Sequence, residues 1–195
     1  MLKLRIKGIA LEISVLFFAA AVVWLTMDPS HTAALCLLAS LMHELGHLGV
    51  MLYYGLYPKR IAVGLFGVRM EQQEGVALGY RQQIWLSLAG PAVNLAVGGG
   101  LWLIIGFGTA AAVNLLLAAM NLLPIQALDG GQALYCYLAG RMEEPRAQRI
   151  VFVISMAVLL PLATAGFFLL IRSGYNFTLL AACIYLILLL FLRPW

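Results

Sequence analysis

The sequence predicts an all-α polytopic membrane protein with about six transmembrane helices and one short membrane-associated β-hairpin or strand. Of its 195 residues 64% are hydrophobic and only 10% charged, more apolar side chain than a soluble core of this size can bury. The apolar residues gather into six segments, at about 10–27, 32–54, 83–107, 109–139, 150–171 and 175–193, most of them close to bilayer length. Between the second and third, Pro58 to Tyr80 breaks the pattern with β-branched, glycine-spaced and then polar sequence.

The first segment follows Lys3, Arg5 and Lys7. Its length, and the immediate return to a second apolar segment, favour a retained span over a cleaved signal peptide. In the polar interval, Ile61 to Met70 reads as one or two strands and Glu71-Gln72-Gln73-Glu74-Gly75 as a polar turn. An irregular surface loop is the competing reading. A strand over Ile61 to Met70 would offer an edge on which an extended peptide can pair. The fourth segment is too long for one straight span. Pro124 breaks it, so that Leu128-Asp129-Gly130-Gly131 feeds a short second helix over Gln132 to Ala139. The fifth and sixth segments carry no candidate chemistry. With no internal repeat or low-complexity tail, residues 1–195 read as a single transmembrane domain.

The basic residues set the topology. With the N-terminus in the cytoplasm, six spans return the C-terminus there. Every Lys and Arg except Arg172 then falls on the cytoplasmic side, as the positive-inside rule requires. The net charge of +4 therefore belongs to the membrane surface. Nucleic acid is excluded as a partner, since no basic patch interleaves with aromatics. Cys36, Cys136 and Cys183 are odd in number and widely spaced, which gives neither a disulfide framework nor a CxxC metal pair.

The chemistry concentrates in the second segment. His43-Glu44-Leu45-Gly46-His47 holds two of the chain's three histidines. Four helical residues turn the backbone by about 400°, so both imidazoles project from one face and can hold one metal ion. Glu44, about 100° away, can reach a water at that ion as general base. Titratable groups are costly at membrane depth, so a functional role is the default reading. In the predicted topology His43 lies roughly 16 Å below the outer surface, which puts the site in the cytoplasmic half. A catalytic zinc site usually needs a third protein ligand. His31 lies at the outer mouth of the second segment, and most carboxylates lie in loops or near segment ends. Asp129 is the other carboxylate inside apolar sequence. It reads either as the third ligand or as a helix-capping aspartate.

Together with this HExxH segment, Asn121-Leu122-Leu123-Pro124-Ile125-Gln126-Ala127-Leu128-Asp129-Gly130-Gly131 and Ala89-Gly90-Pro91-Ala92-Val93-Asn94 resemble the site-2 protease family of intramembrane zinc metalloproteases. The layout, without a PDZ or CBS-type domain, most resembles the sporulation-factor processing branch. The resemblance implies a three-helix catalytic core over about residues 32–139 and one zinc ion held by His43, His47 and Asp129, with Glu44 as catalytic base. It also implies hydrolysis of a peptide bond in or beside a transmembrane segment. Asn94 and Asn121 would then bind the substrate backbone or oxyanion, or else bond helix to helix. The implied setting is the bilayer of a bacterial cell membrane, with a membrane-embedded protein substrate and an inhibitory or adaptor membrane protein as partners. Two departures stand out. The family often has proline before Leu-Asp-Gly, where this chain has Gln126-Ala127, and arginine after Gly-Gly, where it has Gln132. They bear on subfamily and substrate and remove no ligand.

The competing readings are a zinc-stabilised scaffold or pseudoprotease regulator, a metal transporter, and a prenyl-protein protease. A structural site needs no base such as Glu44, and a transporter usually shows internal pseudo-symmetry. In the prenyl-protein family the resemblance would lead to a glutamate as third ligand instead of the LDGG segment.

Overall fold

The computed structural model describes residues 2–6, 9–64, 67–72 and 78–192. Of the features read from the sequence, Lys7, Leu65, Phe66, the Gln73-Glu74-Gly75 run and Arg193 lie outside them. The chain divides into two compact units, Met1–Ala77 with Ala89–Ala118, and Leu78–Leu88 with Ala119–Trp195.

The first unit opens with strands β1 (Leu2–Ile6) and β2 (Ile9–Ile13). Leu2-Lys3-Leu4-Arg5-Ile6 alternates with a period of two, the pattern of a strand with one apolar face. β1 pairs antiparallel with β2. β2 pairs parallel with β3 (Pro58–Gly64), and β3 pairs antiparallel with β4 (Gly67–Gln72), giving the order β1-β2-β3-β4. The hairpin expected from Ile61 to Met70 is therefore part of a larger mixed sheet. β3 is an inner strand whose two edges are taken, so an exposed edge in this stretch belongs to β4. The parallel register sets Ala10 opposite Arg60, and the Arg60 guanidinium bonds the buried carboxylate of Glu12. Glu12 without that partner would be a charge stripped of water.

Helix α1 (Val15–Met27) starts five residues later than the first apolar segment, because Ile9–Ile13 is strand. Helix α2 (Thr32–Tyr53) begins beyond Asp28, whose Oδ2 accepts the N–H of Ala33 at 2.6 Å. This carboxylate does the capping work that His31 at the N-cap does not. Helix α3 (Tyr80–Ile105) enters the first unit at Ala89, and helix α4 (Thr109–Asn121) leaves it after Ala118. Apart from Met51 and Pro91, the buried apolar residues of these helices are alanines: Ala33, Ala39, Ala89, Ala111 and Ala118. Gly46 and Gly98 extend that pattern. A Cβ on Gly46 would lie 2.7 Å from the Ala89 carbonyl oxygen, and one on Gly98 would lie 2.9 Å from Leu115 Cγ. Backbones come this close in membrane helices because small residues let dispersion do the work that water-driven burial does elsewhere.

The second unit holds the first turns of α3, then α5 (Asp129–Ala139), α6 (Glu144–Ser173) and α7 (Thr178–Leu192). Its core is built from larger side chains, with Ile125, Leu159, Cys183 and Leu190 packed together. Gly174, at φ +76°, ends α6 in the left-handed conformation that glycine adopts without strain, and its N–H bonds the Leu170 carbonyl at 2.8 Å. The Tyr80 hydroxyl donates to Glu144 at 2.6 Å.

Among the described residues three helices, α2, α3 and α6, are long and apolar enough to cross a bilayer. The other apolar helices, α1, α4 and α7, have 13, 13 and 15 residues, and at 1.5 Å per residue they span about 20–23 Å against a hydrocarbon core of about 30 Å. Of the six segments read from the sequence as spans, the structure thus supports three as long enough to cross, and the other three hold shorter apolar helices.

Candidate metal centre

The first half of the candidate site lies in the first unit. On α2, His43 and His47 stand one turn apart, as the spacing requires. Their rings meet edge to face at 77° with centroids 4.8 Å apart. This brings the two Nε2 atoms to 3.1 Å, near the roughly 3.3 Å expected of two imidazole nitrogens on one tetrahedral ion. Glu44, half-buried, follows His43 on the same helix.

A chain of amides fixes which nitrogen of His43 carries the proton. Asn114 Nδ2 donates to the Ala110 carbonyl at 2.9 Å, which leaves Asn114 Oδ1 to accept from Asn94 Nδ2 at 2.9 Å. Asn94 Nδ2 also donates to the Ala39 carbonyl at 3.0 Å. Asn94 Oδ1 therefore faces His43 Nδ1, at 2.7 Å, as an acceptor. His43 Nδ1 must be the donor, and in the neutral ring Nε2 then carries the lone pair that a metal needs.

Asn94 is fully buried. Its amide is engaged with His43, the Ala39 carbonyl and Asn114, the helix-to-helix bonding that was the alternative to a substrate contact. Gly90, from the Ala89–Asn94 motif, turns its missing side chain toward the same point. A Cβ there would run into Nε2 of both His43 and His47. Only glycine leaves space in front of the paired nitrogens.

The second half belongs to the second unit and is built by backbone. After α4 ends at Asn121, Pro124 interrupts the chain. The turn is held by Ile125 N–H to Leu123 O at 2.7 Å and Leu128 N–H to Ile125 O at 2.8 Å. Ser155 on α6 accepts the Gln126 N–H at 2.8 Å while its hydroxyl donates to Val151 O at 2.7 Å. Leu128 is the extended N-cap of α5, so Asp129 occupies the first helical position, not the cap itself. There the positive end of the helix dipole favours an anion. Gly130 and Gly131 are required by close approach, since a Cβ on either would strike the carbonyls of Leu122 or Ile125. Asn121, the last residue of α4, is half-buried.

Among the described residues His43, His47 and Asp129 form a group that could bind a metal ion. Two neutral imidazoles and a carboxylate suit a borderline divalent ion such as zinc. Asn114 and Ser155 were missed in the sequence, although both are polar residues in apolar helices, a signal that was available.

Comparison with known proteins finds relatives named as zinc metalloproteases. The model of Peptidase family M50 matches residues 103–162, a stretch that includes Asp129 but not the two histidines. Stage IV sporulation protein FB of Bacillus subtilis is 28% identical over 127 residues, covering 60% of this chain and 44% of its own. A Synechocystis sp. (strain PCC 6803) protein provisionally named zinc metalloprotease sll0528 is 37% identical over 116 residues, covering 52% of this chain and 30% of its own. The chain thus spans less than half the length of these curated relatives. Among solved structures, the site-2 protease from Methanocaldococcus jannaschii superposes with a TM-score of 0.66 at 22% identity, covering 95% of this chain and 91% of that one, which shows a shared fold. These matches bear out the resemblance carried by the three motifs.

Proposed function

We propose that this chain is an intramembrane zinc metalloprotease of the site-2 protease type. It hydrolyses a peptide bond in or near a transmembrane segment of a membrane-tethered protein. The observation that carries the reading is the His43 ring, held with its proton on Nδ1 so that Nε2 stands 3.1 Å from His47 Nε2, with Glu44 beside it and Gly90 leaving space in front. A scaffold would need neither the space nor the carboxylate.

His43, His47 and Asp129 would hold the ion. Zinc, when bound, supplies a Lewis acid that polarises a carbonyl and activates water near neutral pH. Glu44 accepts the proton from the attacking water and delivers it to the leaving amine. Asn121, at the end of α4, is assigned to the substrate backbone. A helical peptide bond is hidden in its own hydrogen bonds, so the substrate must present extended chain.

Residues 1–195 work as one protease domain with its core at about 32–139, embedded in a bacterial cell membrane through six segments. Both termini face the cytoplasm and the site lies in the cytoplasmic half, as the basic residues favour. The likeness to Stage IV sporulation protein FB supports the sporulation-factor processing branch; an inhibitory or adaptor membrane protein is part of the same proposal.

The test is zinc content and cleavage of a panel of single-span substrates by detergent-purified protein, wild type against Glu44→Gln and Asp129→Ala. The reading stands if wild type cleaves, Glu44→Gln keeps zinc without cleaving, and Asp129→Ala loses zinc. If Glu44→Gln cleaves as well as wild type, Glu44 is not the base. Tight zinc without cleavage of any substrate would favour the scaffold.

A further inference from the structure

We infer that Asn114 is a positioning residue for the metal centre, acting through Asn94 to keep the His43 proton on Nδ1. The inference rests on the metal-centre reading above and deepens it. Asn114 reaches His43 through Asn94.

An asparagine amide turned by 180° exchanges its donor and acceptor. If Asn94 turned, its NH2 would face His43 Nδ1. The proton would then have to move to Nε2, and the lone pair a metal requires would be lost. Two acceptors hold Asn94 against this turn: the Ala39 carbonyl on α2 and Asn114 Oδ1 on α4. Asn114 is in turn held by its own bond to the Ala110 carbonyl. Each amide is thus oriented by a backbone carbonyl, which cannot change role. The proton position on His43 is dictated by α2 and α4 together.

Burial makes the arrangement effective. Asn94 is 0% exposed and Asn114 6%, so water does not compete for these bonds, and an amide turned the wrong way would set donor against donor in an apolar surrounding. The close approach of α3 to α4 at Gly98, where a Cβ would lie 3.1 Å from Asn114 Cβ, lets Asn114 reach its partner. Partners of this kind commonly contribute 10–100-fold to metal affinity.

The experiment uses full-length protein in detergent, labelled with [15N]histidine, and reads two quantities. The first is the imidazole nitrogen shifts of the metal-free protein, with His31→Gln used to assign the three rings. The second is cobalt affinity from its visible spectrum. Wild type is expected to show His43 protonated on Nδ1. Asn94→Leu should populate the Nε2–H form and weaken cobalt about 10–100-fold, and Asn114→Leu should do the same more weakly, by about tenfold. Asn114→Asp, which keeps the Oδ1 acceptor, should restore both. A packing defect alone would lower stability without moving the proton. The inference is overturned if metal-free wild type carries the His43 proton on Nε2, or if folded Asn114→Leu leaves both proton position and cobalt affinity unchanged. Should Asn114→Leu not fold, the wild-type ring nitrogens still decide. Failure of wild type to bind cobalt would instead overturn the metal-centre reading, with the proton position still judging the relay.

Discussion

The two units hold the groups read as metal ligands in different ways. In the first, helices rich in alanine and glycine approach closely, and His43, Asn94 and Asn114 are buried among them, each satisfied by a side chain or a helix carbonyl. In the second, the buried core is Ile125, Leu159, Cys183 and Leu190. There Asp129 is presented by a break in the backbone, with its helix N-terminus turned toward the carboxylate. A histidine ring has a rotamer and a proton position to be set, so it needs directional partners. A carboxylate accepts from many directions, and a helix end in the right place suffices. The same apolar solvent is thus met by a side-chain network in one unit and by backbone geometry in the other.

Substitutions can break this contrast, beginning with the group that belongs to neither device. Glu44→Gln should lower cleavage by about 10²–10⁴-fold while zinc content stays at wild-type level, read by peptide release and metal analysis on one sample. Next is Gly90→Ala, which puts a methyl where both Nε2 atoms converge. It should abolish stoichiometric zinc binding with little change in helical circular dichroism. If it binds zinc normally, the space before the histidines is not where the ion sits.

Gly131→Ala tests the other device, because its Cβ would strike the Ile125 carbonyl. Overpacking against a backbone should destabilise by about 1–3 kcal/mol, read as a lower Tm in detergent. Ser155→Ala strips the Gln126 N–H of its acceptor, for a similar or smaller loss of about 1–3 kcal/mol. A Tm equal to wild type would mean that the turn before Asp129 holds itself.

The smallest effect lies at Asp28, outside both devices. The Ala33 and then Ser30 hydrogen bonds hold its carboxyl below the usual value of 3.8. Because the folded pKa is depressed, its contribution to the start of α2 is fully present above pH 3.8 and fades as pH falls through the lower folded value. Asp28→Asn should speed hydrogen exchange at the Ala33 amide at neutral pH without altering zinc content.

Much of the site was legible because it depends on local spacing. His43, Glu44 and His47 share one helix, and an i, i+4 pair needs only the helix to be brought to one face. The break at Pro124 followed from a missing N–H, although α5 begins at Asp129, three residues before the helix read over Gln132 to Ala139. What escaped required partners far apart in the chain. The parallel pairing of β2 with β3 joins Ala10 to Arg60. The period of two in Leu2 to Ile6 was visible but was read as a basic flank, because a strand without its neighbours looks like any apolar stretch. Asn114 was passed over for a similar reason. Twenty residues from Asn94, it gains meaning only when α3 and α4 bring the two amides to 2.9 Å.

The sequence by itself determined that the chain lives in a membrane and carries an HExxH pair with one embedded aspartate, since composition and helical period are properties of neighbouring residues. Only the tertiary structure decided which nitrogen of His43 holds the proton, which glycine clears the space before it, and which serine holds the turn ahead of Asp129. Each is a hydrogen bond or a steric exclusion between distant segments, directional to within a fraction of an ångström, and a linear pattern does not encode that direction.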